Sequence, residues 1–129
     1  TYYVSRYTNA EWINCFSICE SFGLKFATLE SADEARTLQN ICRSNDFSTF
    51  GRGPFLSGMT TSPGTTNNWY WAQTDDRINF ALPWGPGQPD NWKNNEQCLQ
   101  LAKYSNCQFN DSSCSGIRSE CLCQKVAYN

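Results

Sequence analysis

Eight cysteines in a chain of 129 residues limit what this protein can fold into more than any other feature of its sequence. The number is even, no Cys-x-x-Cys pair occurs, and the closest spacing is Cys121-x-Cys123. This pattern favours a framework of disulfide bonds over a zinc site built from thiolates. Because disulfides persist in oxidising compartments, it indicates a secreted protein or the extracellular part of a larger one.

Length and charge narrow the class of protein further. A chain of 129 residues is long enough for one domain with a hydrophobic core and short for two, so we expect a single domain over residues 1–129. The net charge of −2 gives no electrostatic reason to expect nucleic acid or an anionic membrane as a partner. The sequence has no histidine, which excludes Ser-His-Asp triads and histidine-ligated metal centres.

The beginning of the sequence agrees with an extracellular protein. The chain starts at Thr1 rather than Met, has no apolar signal-like opening, and contains no span of about 20 apolar residues. We therefore expect a processed, secreted domain or the ectodomain of a larger protein.

Two capping-box patterns predict two helices in the first third of the chain. Thr8-Asn9-Ala10-Glu11 precedes apolar residues that recur at helical intervals up to Phe22, and Gly23 then supplies a stop, which predicts a helix from about 9 to 22. Ser31-Ala32-Asp33-Glu34 repeats the signal and predicts a second helix to about Cys42. Between the helices, Leu24–Leu29 is typical of a short strand or an extended link.

After Cys42, glycine and proline recur every few residues, so only short strands fit between them. The candidate strands of the whole chain are Tyr2–Arg6, Phe55–Met59, Trp69–Ala72, Cys98–Tyr104, Gln108–Asn110 and Glu120–Val126. Two helices followed by short strands predict an α+β domain. The stretch from about 60 to 96 is polar and proline-rich, which is typical of a long loop that binds something.

Oxygen-bearing side chains are concentrated at the end of this loop and in the strands that follow it. Five of them stand near a proline or a cysteine: Gln88, Asp90, Glu96, Asn110 and Asp111. Calcium takes roughly six to eight oxygen ligands and accepts amide as well as carboxylate oxygens. The set therefore predicts a calcium site built on a loop, and the ring of Trp92 beside it suggests a sugar-binding surface.

Nearly the whole chain resembles the C-type lectin-like domain family. Trp12-x-x-Cys15-x-x-x-Cys19 is similar to the family's first-helix pattern, with Cys15 where the family usually has alanine. Phe55-Leu56-Ser57-Gly58-Met59 resembles the Trp-Ile-Gly-Leu core strand, with Phe55 replacing the tryptophan. The other matching positions are Trp71, Trp84-Gly85-Pro86-Gly87, Cys98, Cys114 and Cys123. The resemblance implies a disulfide-braced α+β fold with two helices, small antiparallel sheets and a long calcium-binding loop, and this loop looks similar to that of secreted arthropod lectins.

The resemblance also implies two disulfides, Cys19–Cys123 between the first helix and the last strand and Cys98–Cys114 beside the binding loop. A second rung, Cys15–Cys121, is geometrically plausible, because Cys15 lies one helical turn before Cys19 and Cys121 lies two residues before Cys123. Cys42–Cys107 then follows by elimination. The alternative for a cysteine of this second set is a bond to a partner chain.

By resemblance, the five oxygen-bearing residues Gln88, Asp90, Glu96, Asn110 and Asp111 fall on the family's principal calcium site. Phe109 replaces the tryptophan of the family's Trp-Asn-Asp motif. The resemblance implies a cis bond before Pro89, for which the alternative is an ordinary turn proline. Asn91 and Gln97 stand where the auxiliary calcium site usually has acids, so we expect one calcium ion. Asn110-Asp111-Ser112 is also an N-glycosylation sequon, and a glycan there would abolish a calcium ligand.

The resemblance implies that two vicinal hydroxyls of a sugar complete the coordination of the ion. The residues that would hydrogen-bond those hydroxyls are Gln88, Asp90, Glu96 and Asn110. In this family the order Gln-Pro-Asp is associated with galactose-type ligands. Trp92 resembles the tryptophan on which galactose packs its apolar face, and the alternative is a ring buried as a loop anchor. The glycine-rich insertion that supports this ring in relatives is missing here, where Lys93-Asn94-Asn95 leads to Glu96.

The residues and the family resemblance together predict a calcium-dependent carbohydrate-binding domain for galactose- or GalNAc-containing glycans. The resemblance also implies a role in recognising self or foreign glycans in innate immunity. One alternative is a protein-interaction module of the same fold. An enzyme is a distant third, because a glycosidase pair drawn from Asp90, Glu96 and Asp111 would have no free acid once calcium is bound. Binding of one monosaccharide is weak, so a homo-oligomer or a multidomain parent would supply avidity.

Overall fold

A computed structural model describes residues 2–5, 9–44 and 52–126 of the chain. Its strands are β1 (Tyr2–Val4), β2 (Leu24–Phe26), β3 (Phe55–Thr60), β4 (Trp69–Trp71), β5 (Asp76–Arg77), β6 (Cys98–Ala102), β7 (Gln108–Ser112) and β8 (Leu122–Lys125). The α-helices are α1 (Cys15–Ser21) and α2 (Ala32–Ser44). Short 3₁₀ turns occupy Trp12–Asn14, Trp92–Asn94 and Lys103–Ser105. The predicted α+β class is confirmed.

Two antiparallel sheets organise these elements. One has three strands in the order β1-β8-β2, and the other has five in the order β5-β4-β3-β6-β7. The last strand therefore lies between the first two, which brings the two ends of the described chain together. A bridge between Phe55 and Cys121 joins the start of β3 to the residue before β8 and so connects the two sheets.

All eight cysteines form disulfides within the chain, and none is free. Cys15–Cys121 and Cys19–Cys123 fasten α1 to β8 and the residue before it. The other two bonds are Cys42–Cys107, between α2 and the turn before β7, and Cys98–Cys114, between β6 and the segment after β7. These are the four expected pairs, so no cysteine remains for a partner chain.

The first helix is shorter than its sequence pattern predicts. Thr8 of the expected capping box lies outside the described residues, and residues up to Glu11 are extended instead of helical. The reason is a long-range pairing, because the backbone of Ala10 exchanges two hydrogen bonds of 2.9 Å with Ser119. Trp12 then opens a 3₁₀ turn, and α1 begins only at Cys15. Phe22, which the pattern placed on the helix, lies beyond its end and is 66% exposed.

The second helix agrees with its sequence pattern. The Ser31 hydroxyl accepts a hydrogen bond of 3.1 Å from the Glu34 N–H, as a capping residue does, and the helix continues to Ser44. Its buried residues include Ala35, Leu38 and Cys42, which share one face. Within the described ranges, no helix is long and apolar enough to cross a membrane.

Most of the predicted strands are present, but their first or last residues differ from the prediction. The strand expected to run to Tyr104 stops at Ala102, because Asn106 and Cys107 adopt left-handed backbone angles and turn the chain into β7. Strand β7 continues past the predicted Asn110 to Ser112, and β8 is confined to Leu122–Lys125. Strand β1 is described to Val4, while Arg6 lies outside the described residues. The two-residue strand β5 was not predicted, since two exposed residues carry no periodic pattern.

One core cluster contains residues of α2 and of the five-stranded sheet, and it supports the base of the long loop. A second cluster gathers Trp12, Phe26 and Phe55 beside α1. Leu38 and Leu99 belong to the first cluster, together with Phe109, which is fully buried in place of the family's tryptophan. Ile78 and Leu82 of the loop are buried in the same cluster. The loop is therefore anchored at its base before it reaches the oxygen-bearing residues.

Candidate functional site

The long loop is fixed to β7 where it approaches the candidate calcium residues. The Gly85 N–H donates to the Phe109 carbonyl over 2.9 Å, and the Gln88 N–H donates to the Gly85 carbonyl over 3.0 Å. These bonds connect the turn that ends at Gln88 to the neighbouring strand β7. The Gln88–Pro89 peptide bond is cis, as the family resemblance implies.

Three of the expected calcium ligands meet in space. Each of the carboxyl groups of Asp90, Glu96 and Asp111 offers an oxygen within 4.8 Å of the others. Asp90 comes from the loop after the proline and is exposed, Glu96 precedes β6 and is half-buried, and Asp111 lies in β7 and is buried. Segments far apart in sequence therefore converge on one acidic cluster.

Two of these carboxylates also accept hydrogen bonds from the backbone of the loop. Asp111 accepts hydrogen bonds from the backbone N–H groups of Asp90 and Asn91, over 3.1 Å and 2.7 Å. Glu96 accepts one of 2.9 Å from the Trp92 N–H, and its own N–H donates to the Asn91 side-chain oxygen over 3.1 Å. The backbone around Asp90 and Trp92 is thus held by the same groups that would hold a cation.

The two amide residues of the expected set, Gln88 and Asn110, each leave an oxygen without a partner. Among the described residues, the buried side-chain atoms that lack any hydrogen bond are Ser57 Oγ, Gln88 Oε1 and Asn110 Oδ1. In both amides the nitrogen is engaged, since Gln88 Nε2 contacts Asp90 over 3.4 Å and Asn110 Nδ2 donates to the Tyr104 hydroxyl over 3.1 Å. Burying a carbonyl oxygen without a hydrogen-bond donor costs free energy. These two oxygens are therefore available to bind a hydrogen-bond donor or a cation that is not part of the chain.

Electrostatics in the acidic cluster favour a cation. Burial, the hydrogen bond to Asp90 and nearby negative charge raise the pKa of Glu96 to about 7. Burial also raises the pKa of Asp111, whereas the hydrogen bond from Glu96 lowers the pKa of Asp90. Three carboxyl groups this close cannot all ionise cheaply, and a divalent cation would offset their repulsion.

The residues present fit a calcium ion. Calcium binds hard oxygen ligands from carboxylates and amides, and the site combines three carboxyl groups with two unpartnered amide oxygens. No other group of three or more potential metal-ligating acids or cysteines occurs in the described part of the chain.

Trp92 lies at the edge of this site with its ring in solvent. It is 62% exposed, so it is not the buried loop anchor considered as the alternative. The ammonium group of Lys93 lies 4.5 Å from the centroid of the ring, and Asn91, Lys93 and Asn94 all adopt left-handed backbone angles. The segment in which the resemblance leads one to expect a glycine-rich insertion is therefore a tight turn with a cation–π contact.

Sequence reasoning missed residues that support the candidate ligands. Gly85 leaves room for the Asn110 side chain, since a Cβ there would lie 3.0 Å from Asn110 Oδ1. Tyr104 and Asn91 hold Asn110 and Glu96 through the hydrogen bonds given above. Only Gly85 carries a sequence signal, through its place in the Trp-Gly-Pro-Gly segment. The sequon at Asn110 lies within β7, and Asn110 itself is only 6% exposed.

Comparison with known proteins finds relatives along most of the chain. The profile of the family described as "Lectin C-type domain" matches residues 8–125. The chain is 31% identical over 116 residues to C-type lectin BML-1 of Bungarus multicinctus, covering 88% of this chain and 69% of that protein. It is 30% identical over 116 residues to a "C-type lectin galactose-binding isoform" of Pseudechis australis, with the same coverage of 88% and 69%. Both relatives are snake proteins, so the expected similarity to arthropod lectins is not confirmed.

Solved structures share the fold at low sequence identity. The crystal structure of the cow C-type carbohydrate-recognition domain of CD23, obtained in the presence of a GlcNAc2Man3 oligosaccharide, superimposes with a TM-score of 0.71 and 20% identity. The superposition covers 99% of this chain and 88% of that one.

Proposed function

The chain belongs to the C-type lectin domain family, a family of carbohydrate-binding domains, and on that premise we propose that it binds galactose- or GalNAc-type sugars in a calcium-dependent manner. The residues that would hold the ion are Gln88, Asp90, Glu96, Asn110 and Asp111. The observation that carries the proposal is the pair of unpartnered amide oxygens of Gln88 and Asn110 beside three clustered carboxyl groups.

This observation favours a lectin over a protein-interaction module of the same fold. A surface that only contacted proteins would gain nothing from burying two carbonyl oxygens without donors. It would also gain nothing from bringing three acids within 4.8 Å. Both costs disappear if the oxygens share a divalent cation. A calcium ion held by these acids would also leave no carboxyl free for glycosidase chemistry, which agrees with a non-enzymatic family.

The proposed site residues would have different roles in sugar binding. When bound, calcium supplies coordination positions for two vicinal hydroxyls of the sugar. Asp90 and Glu96 can only accept hydrogen bonds from those hydroxyls, while the amide of Gln88 can also donate. Asp111 is buried and accepts hydrogen bonds from the backbone of the loop, so it would bind the ion and position the loop at the same time. The order of amide and acid around Pro89 therefore decides which hydroxyl arrangement fits.

Support for the galactose-type preference comes from two directions. The Gln-Pro-Asp order is associated with galactose-type ligands in this family, and the Pseudechis australis relative is named as galactose-binding. Trp92 is exposed beside Glu96 and would pack against the apolar face of the sugar.

We place the protein outside the cell, where its four disulfides would persist. Its partners would be galactose- or GalNAc-terminated glycans, and an oligomer or a multidomain parent would raise the weak affinity of one site.

A glycan array probed with and without EDTA tests this proposal. The native protein should bind galactose- and GalNAc-terminated glycans only in the presence of calcium. Asp90→Asn should weaken calcium and sugar binding strongly, because it replaces a charged carboxylate ligand by a neutral amide. Trp92→Ala should weaken sugar binding and leave calcium binding intact. Binding that ignores EDTA, or a preference for mannose in the native protein, would refute it.

A further inference from the structure

The turn between β6 and β7, residues 103–107, contacts the candidate calcium site. The hydroxyl of Tyr104 accepts a hydrogen bond of 3.1 Å from Asn110 Nδ2. Ser105 of the same turn lies next to Gly85, since a Cβ on that glycine would be 3.2 Å from Ser105 Oγ. The Tyr104 side chain is 63% exposed, so its position depends on the turn that carries it and not on packing in the core.

The C-terminal half of α2 holds this turn. The Cys42–Cys107 disulfide joins the two segments covalently. Three hydrogen bonds join them as well, from Gln39 Nε2 to the Cys107 carbonyl over 3.0 Å, from Arg43 Nε to the Asn106 carbonyl over 3.1 Å, and from Lys103 Nζ to the Cys42 carbonyl over 3.1 Å. We call the disulfide and these three bonds the α2 tether.

The backbone of the turn needs such support. Asn106 and Cys107 have φ angles of 56° and 60°, in the left-handed region that residues with a Cβ rarely adopt. The α2 tether stabilises this conformation immediately before β7, the strand that contains Asn110. The tether therefore fixes both the start of that strand and the turn that carries Tyr104.

The orientation of the Asn110 amide decides whether it can bind a cation. Its oxygen is buried and has no partner in the described part of the chain, whereas its nitrogen is bonded to Tyr104. An amide nitrogen donates hydrogen bonds and does not bind calcium, so an amide rotated by half a turn would present the wrong atom. The hydrogen bond to the Tyr104 hydroxyl favours the orientation in which the oxygen is free for the ion.

We propose that the α2 tether sets the calcium affinity of the site from a distance, by positioning Tyr104 so that its hydroxyl keeps Asn110 Oδ1 available to the ion. This inference rests on the proposed function. Tyr104 is then a positioning residue that acts through Asn110. Residues of α2 that are not proposed ligands thereby influence calcium binding, and sugar binding through it.

Calcium titration calorimetry of Tyr104→Phe tests the contact with Asn110. Loss of this hydrogen bond should lower calcium affinity by about three- to tenfold, while the matched control Tyr70→Phe, in β4, should stay within about twofold of native. In an Asn110→Asp background, Tyr104→Phe should change calcium affinity by less than about twofold, because both oxygens of a carboxylate bind cations and neither orientation is wrong. Equal calcium affinity of the native and Tyr104→Phe proteins, or the same loss in both backgrounds, would overturn the proposal.

Replacement of both Cys42 and Cys107 by alanine tests the α2 tether. This variant should bind calcium about threefold more weakly or worse, whereas alanine at Cys15 and Cys121 removes a disulfide at α1 and should leave calcium affinity within about twofold of native. Melting temperatures in EDTA establish that each variant is folded at the temperature of the titration, and the Tyr104→Phe comparison decides alone if the first variant is not.

A folded Cys42 and Cys107 variant that binds calcium like the native protein, or equal losses in the two disulfide variants, would overturn the role of the tether. Either result in a chain that binds calcium and galactose would leave the proposed function standing. Absence of calcium binding by the native protein would overturn both.

Discussion

At the scale of single residues, the unpartnered oxygen of Asn110 allows a test of whether this side chain is a metal ligand or a structural amide. In the absence of calcium, this buried oxygen makes no hydrogen bond and so does not stabilise the fold. Asn110→Leu loses the hydrogen bond to Tyr104 but also removes the cost of burying an unpartnered carbonyl. The substitution should therefore change the free energy of unfolding by no more than about 1 kcal/mol. The same substitution should weaken calcium binding by about tenfold or more, because it removes a ligand.

Chemical denaturation in EDTA and calcium titration would measure the two effects of Asn110→Leu. Asn40→Leu, on the exposed side of α2, is the matched control and should leave calcium affinity unchanged. An Asn110→Leu protein that binds calcium like the native chain would contradict the assignment of this residue.

The raised pKa of Glu96 predicts the sign of the pH dependence of stability. Burial and the bond with Asp90 raise the pKa of Glu96 from its ordinary 4.5 to about 7, so the metal-free native state keeps a proton that the unfolded chain releases. This contribution to stability is fully present below about pH 4.5 and is lost as the pH rises through 7. The raised pKa of Asp111 acts in the same direction, and the lowered pKa of Asp90 acts oppositely.

Melting temperatures in EDTA, taken as the difference between the native protein and Glu96→Gln, should therefore fall from pH 5 to pH 7.5. Calcium affinity of the native protein should rise over the same interval, because the metal needs the ionised carboxylates. A melting-temperature difference that stays flat or increases would show that Glu96 does not hold this proton.

At the scale of elements, the approach of β3 to β6 depends on a glycine. Gly53 has φ +100°, and a Cβ there would lie 2.0 Å from the Leu101 carbonyl oxygen and 2.6 Å from the Lys103 nitrogen. Gly23, after α1, also has a positive φ of +73°, but nothing lies within 4 Å of its added Cβ. Substitution of Gly23 would therefore report backbone strain alone, whereas substitution of Gly53 would report strain together with steric crowding.

Gly23→Ala should reduce the free energy of unfolding by about 1 kcal/mol, the cost of a left-handed alanine. Gly53→Ala should reduce it by roughly 2 to 4 kcal/mol, because the strands must also move apart. Urea denaturation of the two proteins makes the comparison, and equal losses would mean that the strands accommodate the methyl group.

Elements specified by local chemistry could be predicted from the sequence, and those specified by distant partners could not. Helix α2 has a local cap at Ser31 and one apolar face, and both are visible in the sequence. Helix α1 starts late because Ala10 pairs with Ser119, a partner that no local pattern reveals. The candidate ligands could be found because calcium chemistry and the family pattern select the same residue types. The support from Tyr104 arises only when the turn after β6 forms, so no sequence motif indicates it.

At the scale of the whole molecule, two disulfides fasten nearly the same pair of segments. Cys15–Cys121 and Cys19–Cys123 join residues separated by 106 and 104 positions. In the loop-entropy model, each alone removes about 4.7 kcal/mol of denatured-state entropy, but once one is closed the second closes only a short additional loop. The two bonds are therefore redundant in restricting the unfolded chain.

Replacing either pair by alanine should cost much less stability than replacing both, with a coupling of roughly 1 to 3 kcal/mol in a double-mutant cycle. Guanidinium denaturation of the native protein, the two single-pair variants and the variant lacking both would measure it. Additive losses would mean that the bonds act mainly on the packing of the native state.

One titration tests most directly whether a single loop-borne cluster holds both the ion and the sugar. The native protein would be titrated with galactose by calorimetry in calcium, and the titration would be repeated in EDTA and with Asn110→Leu in calcium. We expect weak saturable binding in calcium, with a 1:1 stoichiometry, and none in EDTA or in the variant. Galactose binding of equal strength in EDTA, or an Asn110→Leu protein that binds galactose as the native protein does, would contradict this expectation.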